Sequence, residues 1–310
     1  MLAALAPLPW LLHSDFWLNL AIMALYYGFL GQAWNLLGGY GGQFSFGHAA
    51  FFGTGAYASA VLQVKLGFDP WLAFALAGVL AGCVGAFVGA LSFRYGLRGS
   101  YFALITLAFA EVLRIVANSV GFTGAGVGTL IPLKQGAYNF QFATKAGFYF
   151  VIFGLTALGL AMAWWLENSR FGARLSAVRE NEDAARALGV DVFRVKLSAI
   201  TLSAALTGLG GSFYAQYYLY VDPGIAYGPA VSVTALLVPI IGGLGTALGP
   251  LLGSFVLAAM SQLAQAVMGQ APGLNLILYG VILVLMIMFL PNGLFGLARI
   301  SARRFLMGAR

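Results

Sequence analysis

The chain reads as all-α: a polytopic bundle of about eight to ten membrane-crossing helices in one domain over residues 1–310. Three observations carry that reading. Hydrophobic residues make up 61% of the sequence and charged residues 8%, with a mean hydropathy of +0.90, where a soluble domain carries about 25% charged residues. Apolar runs of roughly 20 residues, the length that crosses a hydrocarbon core, recur from end to end. Charge gathers instead in Glu167–Lys196, which holds 11 of the 25 Asp, Glu, Lys and Arg residues. An ionised side chain at mid-depth costs at least about 2.5–3.5 kcal/mol, so this stretch stands in water between two spans.

Taken in order, the apolar runs place spans at 16–37, 44–63, 71–92, 101–117, 147–166, 197–219, 230–247, 249–268 and 275–290. The runs at 44–63 and 230–247 are interrupted by glycine and polar residues, so either is a candidate discontinuous or re-entrant segment. The longest non-apolar external stretch is Asn118–Ala146, with its glycine-rich turn Gly121–Gly128. The last third carries Gly/Pro breaks at Asp222-Pro223-Gly224, Gly242–Thr246, Gly249-Pro250 and Pro291-Asn292-Gly293. Inside a membrane such breaks persist only where protein or water satisfies the freed backbone groups.

Orientation follows from the basic residues. With Glu167–Lys196 on the cytoplasmic side, alternation puts Arg94, Arg98 and the tail Arg299, Arg303, Arg304 and Arg310 there too. Only Lys65, Lys134 and Lys145 then face out, which satisfies the positive-inside rule. The N-terminus is expected outside and the C-terminus inside.

Composition also narrows function. The net charge of +7 is read as topology, and no aromatic–basic interleaving points to nucleic acid. The 42 glycines suit close packing between spans. Cys83 is the lone cysteine, so no disulfide framework exists, and Met1–Leu12 lacks the basic start of a removable signal. There is no Gly-x-x-x-x-Gly-Lys-Ser/Thr loop, nucleophile–base set or metal-ligand cluster. Such a chain is a conduit rather than an enzyme, and no cofactor or metal is expected.

Within the charged stretch, Asn181–Gly189 spells a short helix. Asn181 is the cap, Glu182 and Asp183 sit at the positive end of the dipole, and Arg186 near the negative end. Glu182 and Arg186 are spaced for an i,i+4 ion pair, and Gly189 is the left-handed stop. A solvated connector would have the same pattern. Asp183-Ala184-Ala185-x-x-x-Gly189, however, resembles the Glu-Ala-Ala-x-x-x-Gly loop of ABC importer permeases, with Asp for the usual Glu. The run from Ala177 through Arg179, Glu180, Asn181 and Glu182 is similar to the membrane subunits of branched-chain amino-acid importers. In that family the segment is a cytoplasmic coupling helix seated on the ATPase subunit, which implies Arg179–Arg186 and Gly189 as ATPase-coupling residues.

Three further motifs resemble the same family. The run Asn35–Tyr57 contains Gly38–Gly42, followed by Gln43, Ser45, His48 and Thr54. Its polar groups are either contacts for a zwitterionic substrate, together with Tyr57 and Thr106, or interhelical hydrogen bonds. Arg98–Ala108 leads into a span bearing Glu111 and Arg114 on one face, an intramembrane ion pair of functional or structural role. Gly242–Gly253 and Leu290–Gly296 match the C-terminal signatures, with close packing and helix termination as the plain alternative.

The resemblance implies an ABC-importer-type permease of the bacterial inner membrane. Its partners would be cytoplasmic ATP-binding subunits, a homologous second permease and a periplasmic substrate-binding protein, with lipid around it. The implied cargo is a branched-chain amino acid, with urea or short amides as the alternative. A stand-alone ion-coupled transporter or channel would need buried carboxylates, and Glu111 alone qualifies.

Overall fold

The computed structural model describes residues 5–11 and 14–268, with isolated positions between 277 and 294. Helix α1 (Asp15–Asn35) runs into a π-helical turn, Leu36–Tyr40. After the non-helical residues 41–47 come α2 (His48–Val64), α3 (Pro70–Arg94) and α4 (Gly99–Ser119). A loop with strand β1 (Thr129–Leu130) leads to α5 (Lys145–Asn168), then the short α6 (Arg170–Glu180) and α7 (Glu182–Ala187). The long α8 (Val192–Tyr218), strand β2 (Tyr220–Val221), α9 (Pro223–Ala226), α10 (Pro229–Gly242) and α11 (Gly249–Met268) complete the bundle.

Among the described residues six stretches are long and apolar enough to cross a membrane: Asp15–Tyr40, Pro70–Arg94, Gly99–Ser119, Lys145–Asn168, Val192–Tyr218 and Pro223–Gly242. The architecture is the expected all-α polytopic bundle. Helix α11 coincides with the run at 249–268. The run at 44–63 is discontinuous: its helix begins only at His48 and has 17 residues, about 26 Å of axis. The run at 230–247 also breaks, ending as a helix at Gly242. The run at 275–290, the signature Leu290–Gly296 and the tail arginines lie largely or wholly outside the described residues. Gly293 is described, and a side chain there would strike the backbone of Gly242 and Gly243.

Three of the nine acidic residues cap helix starts. Asp69 accepts from the amides of Trp71 and Leu72 at 2.9 and 3.1 Å, ahead of Pro70 at the first helical position. Asp191 does the same for Arg194 and Asp222 for Ile225, each at 3.0 Å. A cap is worth about 1 kcal/mol, and at the bundle ends these carboxylates stay clear of hydrocarbon.

Packing between helices rests on small residues. A methyl on Gly55 would collide with the carbonyl of Gly208, one on Gly211 with that of Phe52, and one on Gly85 with Ala204. These contacts draw α8 against α2 and α3 at near-backbone distance, the mode that association in lipid favours. Helix α1 is the axis, with 89% of its apolar window buried, whereas α4 has 28% and is peripheral. Its outward face presents Leu104, Leu107, Val112 and Ile115.

The polar stretch expected as an external loop is an ordered cap. Strand β1 pairs antiparallel with β2, Thr129 opposite Val221. Phe140 is fully buried and stacks on Trp71 at 4.2 Å, while Trp71 Nε1 donates to the Ala137 carbonyl at 2.9 Å.

Candidate functional site

The charged segment folds as two short helices crossing the end of the bundle. Ser169 caps α6 by accepting from the Gly172 amide at 3.0 Å. Asn181 ends α6 and starts α7, its Oδ1 accepting from the amides of Asp183 and Ala184, both at 3.0 Å. Gly189, at φ +83°, closes α7: its amide donates to the Arg186 carbonyl and that of Val190 to the Ala185 carbonyl, each at 3.0 Å. This is a Schellman stop, in which only glycine adopts the left-handed residue without strain.

The expected Glu182–Arg186 pair is not formed. Glu182 turns into the bundle, where its carboxylate lies 2.7 Å from Lys196 of α8 and 3.0 Å from Arg98. Lys196 is buried, stands over the Phe93 ring at 4.5 Å and has Glu182 as its counter-ion. A buried ammonium without an anion is far costlier than an exposed i,i+4 pair is favourable, so the interior contact wins. Arg186 pairs instead with Asp183 at 3.2 Å, and Asp183 also meets Arg98 at 3.3 Å. The hydrogen bond to Asp183, and then the Glu182 charge, raise the Arg98 guanidinium above its ordinary value. Through Arg98, Phe93 and Lys196, α7 is tied to α4, α3 and α8. The sequence places Lys196 at the end of the charged stretch, just before the apolar run at 197–219, and assigns it no role; the structure puts it one turn inside α8.

Arg179 and Glu180 face the other way. They pair at 2.9 Å, and Arg179 Nη1 donates to the Gly39 carbonyl at 3.0 Å. A polar latch surrounds that contact. Asn35 donates to the Thr246 carbonyl at 3.0 Å and accepts from the Gly245 amide at 2.9 Å. Glu167 accepts from the Tyr40 hydroxyl at 2.7 Å and the Ala247 amide at 3.2 Å. The Gly242–Gly249 turn is thereby pinned to α1, α5 and α6. Leu188, 84% exposed, projects from the tip of α7, while Ala185 is buried beneath it.

The polar run after α1 sits inside the chain's own packing. From Gln43 to Gly47 burial alternates: Gln43, Ser45 and Gly47 point in, Phe44 and Phe46 out. Trp34 Nε1 donates to the Ser45 carbonyl at 2.8 Å, the Gly47 amide to Ser45 Oγ at 3.2 Å and Gln43 Nε2 to the Gly41 carbonyl at 3.3 Å. His48 is fully buried, with Nε2 2.9 Å from Ser203 Oγ. That hydroxyl's single proton goes to the Ala33 carbonyl at 2.6 Å, so His48 Nε2 is the donor and Nδ1 carries the lone pair. Ser232 accepts from the Ala49 amide at 2.9 Å. Thr54 and Thr106 donate back to Ala50 and Ala103, and Tyr57 stacks on Tyr227 at 5.8 Å. Glu111 and Arg114 form a two-pronged pair, 2.9 Å at Nε, on a half-exposed face of α4.

The chain is similar to known transport proteins along nearly its whole length. The family model described as "Branched-chain amino acid transport system / permease component" matches residues 16–287. The "High-affinity branched-chain amino acid transport system permease protein LivM" of Salmonella typhimurium is 29% identical, over 91% of this chain and 70% of its own length. The LivH permease of Escherichia coli K12 is 25% identical, over 87% of this chain and 91% of its own. The "Autoinducer 2 import system permease protein LsrC" of Yersinia pseudotuberculosis YPIII is 26% identical over 58% of this chain and 53% of its own. No solved structure matches. With nearly all of its bundle inside the family match, the chain belongs to the membrane permease subunits of the branched-chain amino-acid ABC importer family.

Proposed function

We propose that the chain forms half of the translocation pathway of an ATP-driven importer of branched-chain amino acids, in the bacterial inner membrane, beside a homologous second permease. Cytoplasmic ATP-binding subunits grip Arg179–Gly189, and a periplasmic binding protein delivers the cargo to the opposite end. The observation that supports this reading most is α7 itself. It is capped at both ends, bears the exposed Leu188 and is fastened by Glu182 to Lys196 and Arg98. A push on such a rigid handle moves α3, α4 and α8 together instead of deforming a loop. The same push reaches the Gly242–Gly249 turn through Arg179 and Gly39. Coupling residues are thus divided between an outward contact surface and an inward linkage.

Deleting Asn181–Gly189 tests the assignment. Membrane insertion should persist while the ATP-binding subunits no longer co-purify and leucine uptake into proteoliposomes stops; co-purification at normal yield would refute it. Orientation is tested with single cysteines in a Cys83→Ser background. Tyr138→Cys should react with an impermeant thiol reagent in intact cells, and Leu188→Cys only after permeabilisation.

A further inference from the structure

Two neighbouring cavities open at the end of the bundle opposite Glu182, among the first half of α1, the last turns of α8, and α9 to α11. The larger, about 240 Å³, is walled by Tyr26, Tyr27, Tyr214, Tyr218 and Phe52. The smaller, about 190 Å³, shares Met23, Tyr27 and Tyr218 with it and ends in the polar groups of Asn19 and Gln262. Together they fall in the range of small-ligand sites, roughly 300–1,000 Å³. Among the described residues, no Lys, Arg, Asp or Glu lines either cavity.

Hydroxyls point to what such a space holds. Thr234 lines the larger cavity, is 8% exposed, and makes no hydrogen bond among the described residues. Tyr26 is 6% exposed and its hydroxyl is likewise without a partner there. Both line the cavity and, among the described residues, are free to donate to an acceptor placed there. One turn before Thr234, Ala230 and Val231 also line the cavity; they are the second and third residues of α10, where the helix dipole and the Ala230 amide favour an anion, the Val231 amide donating to the Gly228 carbonyl at 3.2 Å. The remaining wall is aromatic, suited to an aliphatic chain and, through ring faces, to an ammonium group.

The geometry points to a transit subsite for an aliphatic α-amino acid in this tyrosine-walled cavity, its carboxylate at Thr234, Tyr26 and the start of α10 and its side chain against Phe52 and the tyrosine rings. The subsite rests on the proposed function and lies apart from Gln43, Ser45 and His48. Having no formal charge, it grips its cargo weakly enough to release it, as a pathway requires.

The test is leucine uptake by the complete complex in proteoliposomes, with its binding protein and ATP, read against ATP hydrolysed in the same vesicles. Thr234→Val and Tyr26→Phe should each lower leucine imported per ATP by about three- to tenfold, the size expected of one lost hydrogen bond. ATP hydrolysis and subunit composition should stay at wild-type level, and Thr234→Ser should restore the ratio. A wild-type ratio in both variants would overturn the subsite and leave the proposed function standing. Loss of the second permease from either variant would overturn it too, marking the groove as a subunit seam. A wild-type complex that moves no branched-chain amino acid would remove the proposed function, and this occupant with it.

Discussion

Lys196 Nζ lies 2.7 Å from Glu182 Oε1, with 4% and 12% of the two side chains exposed. The pair joins the longest helix of the bundle to one of its shortest, 14 residues earlier in the chain. The partners are unequal: Glu182 has Arg98 as a second cation, whereas the Phe93 ring is the other neighbour of the Lys196 ammonium. Glu182→Gln therefore strands a buried charge and should destabilise by roughly 3–5 kcal/mol. Lys196→Met should cost distinctly less, because Glu182 keeps Arg98. Combining them should recover part of the Glu182→Gln loss, a coupling that a double-mutant cycle on thermal unfolding in detergent measures.

Contact and stability separate on α7. Leu188→Glu leaves both caps intact and should abolish co-purification of the ATP-binding subunits with no change in the protein's melting temperature. Asn181→Ala removes the oxygen that serves two amides and should destabilise α7 by about 1 kcal/mol, weakening capture without abolishing it. Pull-down from solubilised membranes distinguishes the two.

Glycine positions should divide by what surrounds them. Gly211→Ala drives a methyl into the Phe52 backbone, so α2 and α8 must separate, and monodisperse protein should be lost on size-exclusion chromatography. Gly154→Ala points into open space on α5 and should elute as the wild type does.

Asn35 tests the latch. Its side chain, 1% exposed, satisfies both the Gly245 amide and the Thr246 carbonyl. Asn35→Leu leaves these groups unpaired at a cost of roughly 1–3 kcal/mol each at most. The freed Gly242–Gly249 turn should raise basal ATP hydrolysis by the complex and reduce the amino acid moved per ATP. Paired hydrolysis and uptake assays check this.

What the residues alone determined is what depends on local chemistry and on water. Apolar runs set the spans, a concentration of charge set the water-exposed segment, and Asn181 and Gly189 set the ends of α7, since caps act within one turn of the chain. The breaks at 41–47 and after Gly242 were legible because clustered glycine and polar residues interrupt an apolar run there. The tertiary structure decided which partner each polar group takes. Glu182 ignores Arg186 four residues away because the fold brings Lys196 and Arg98 to it. His48 meets Ser203, 155 positions later, and Thr234 faces a cavity built from four other helices. Hydrogen bonds and ion pairs act over a few ångströms, and sequence spacing fixes such distances only within a helix. Across helices the packing of Gly55, Gly208 and Gly211 fixes them.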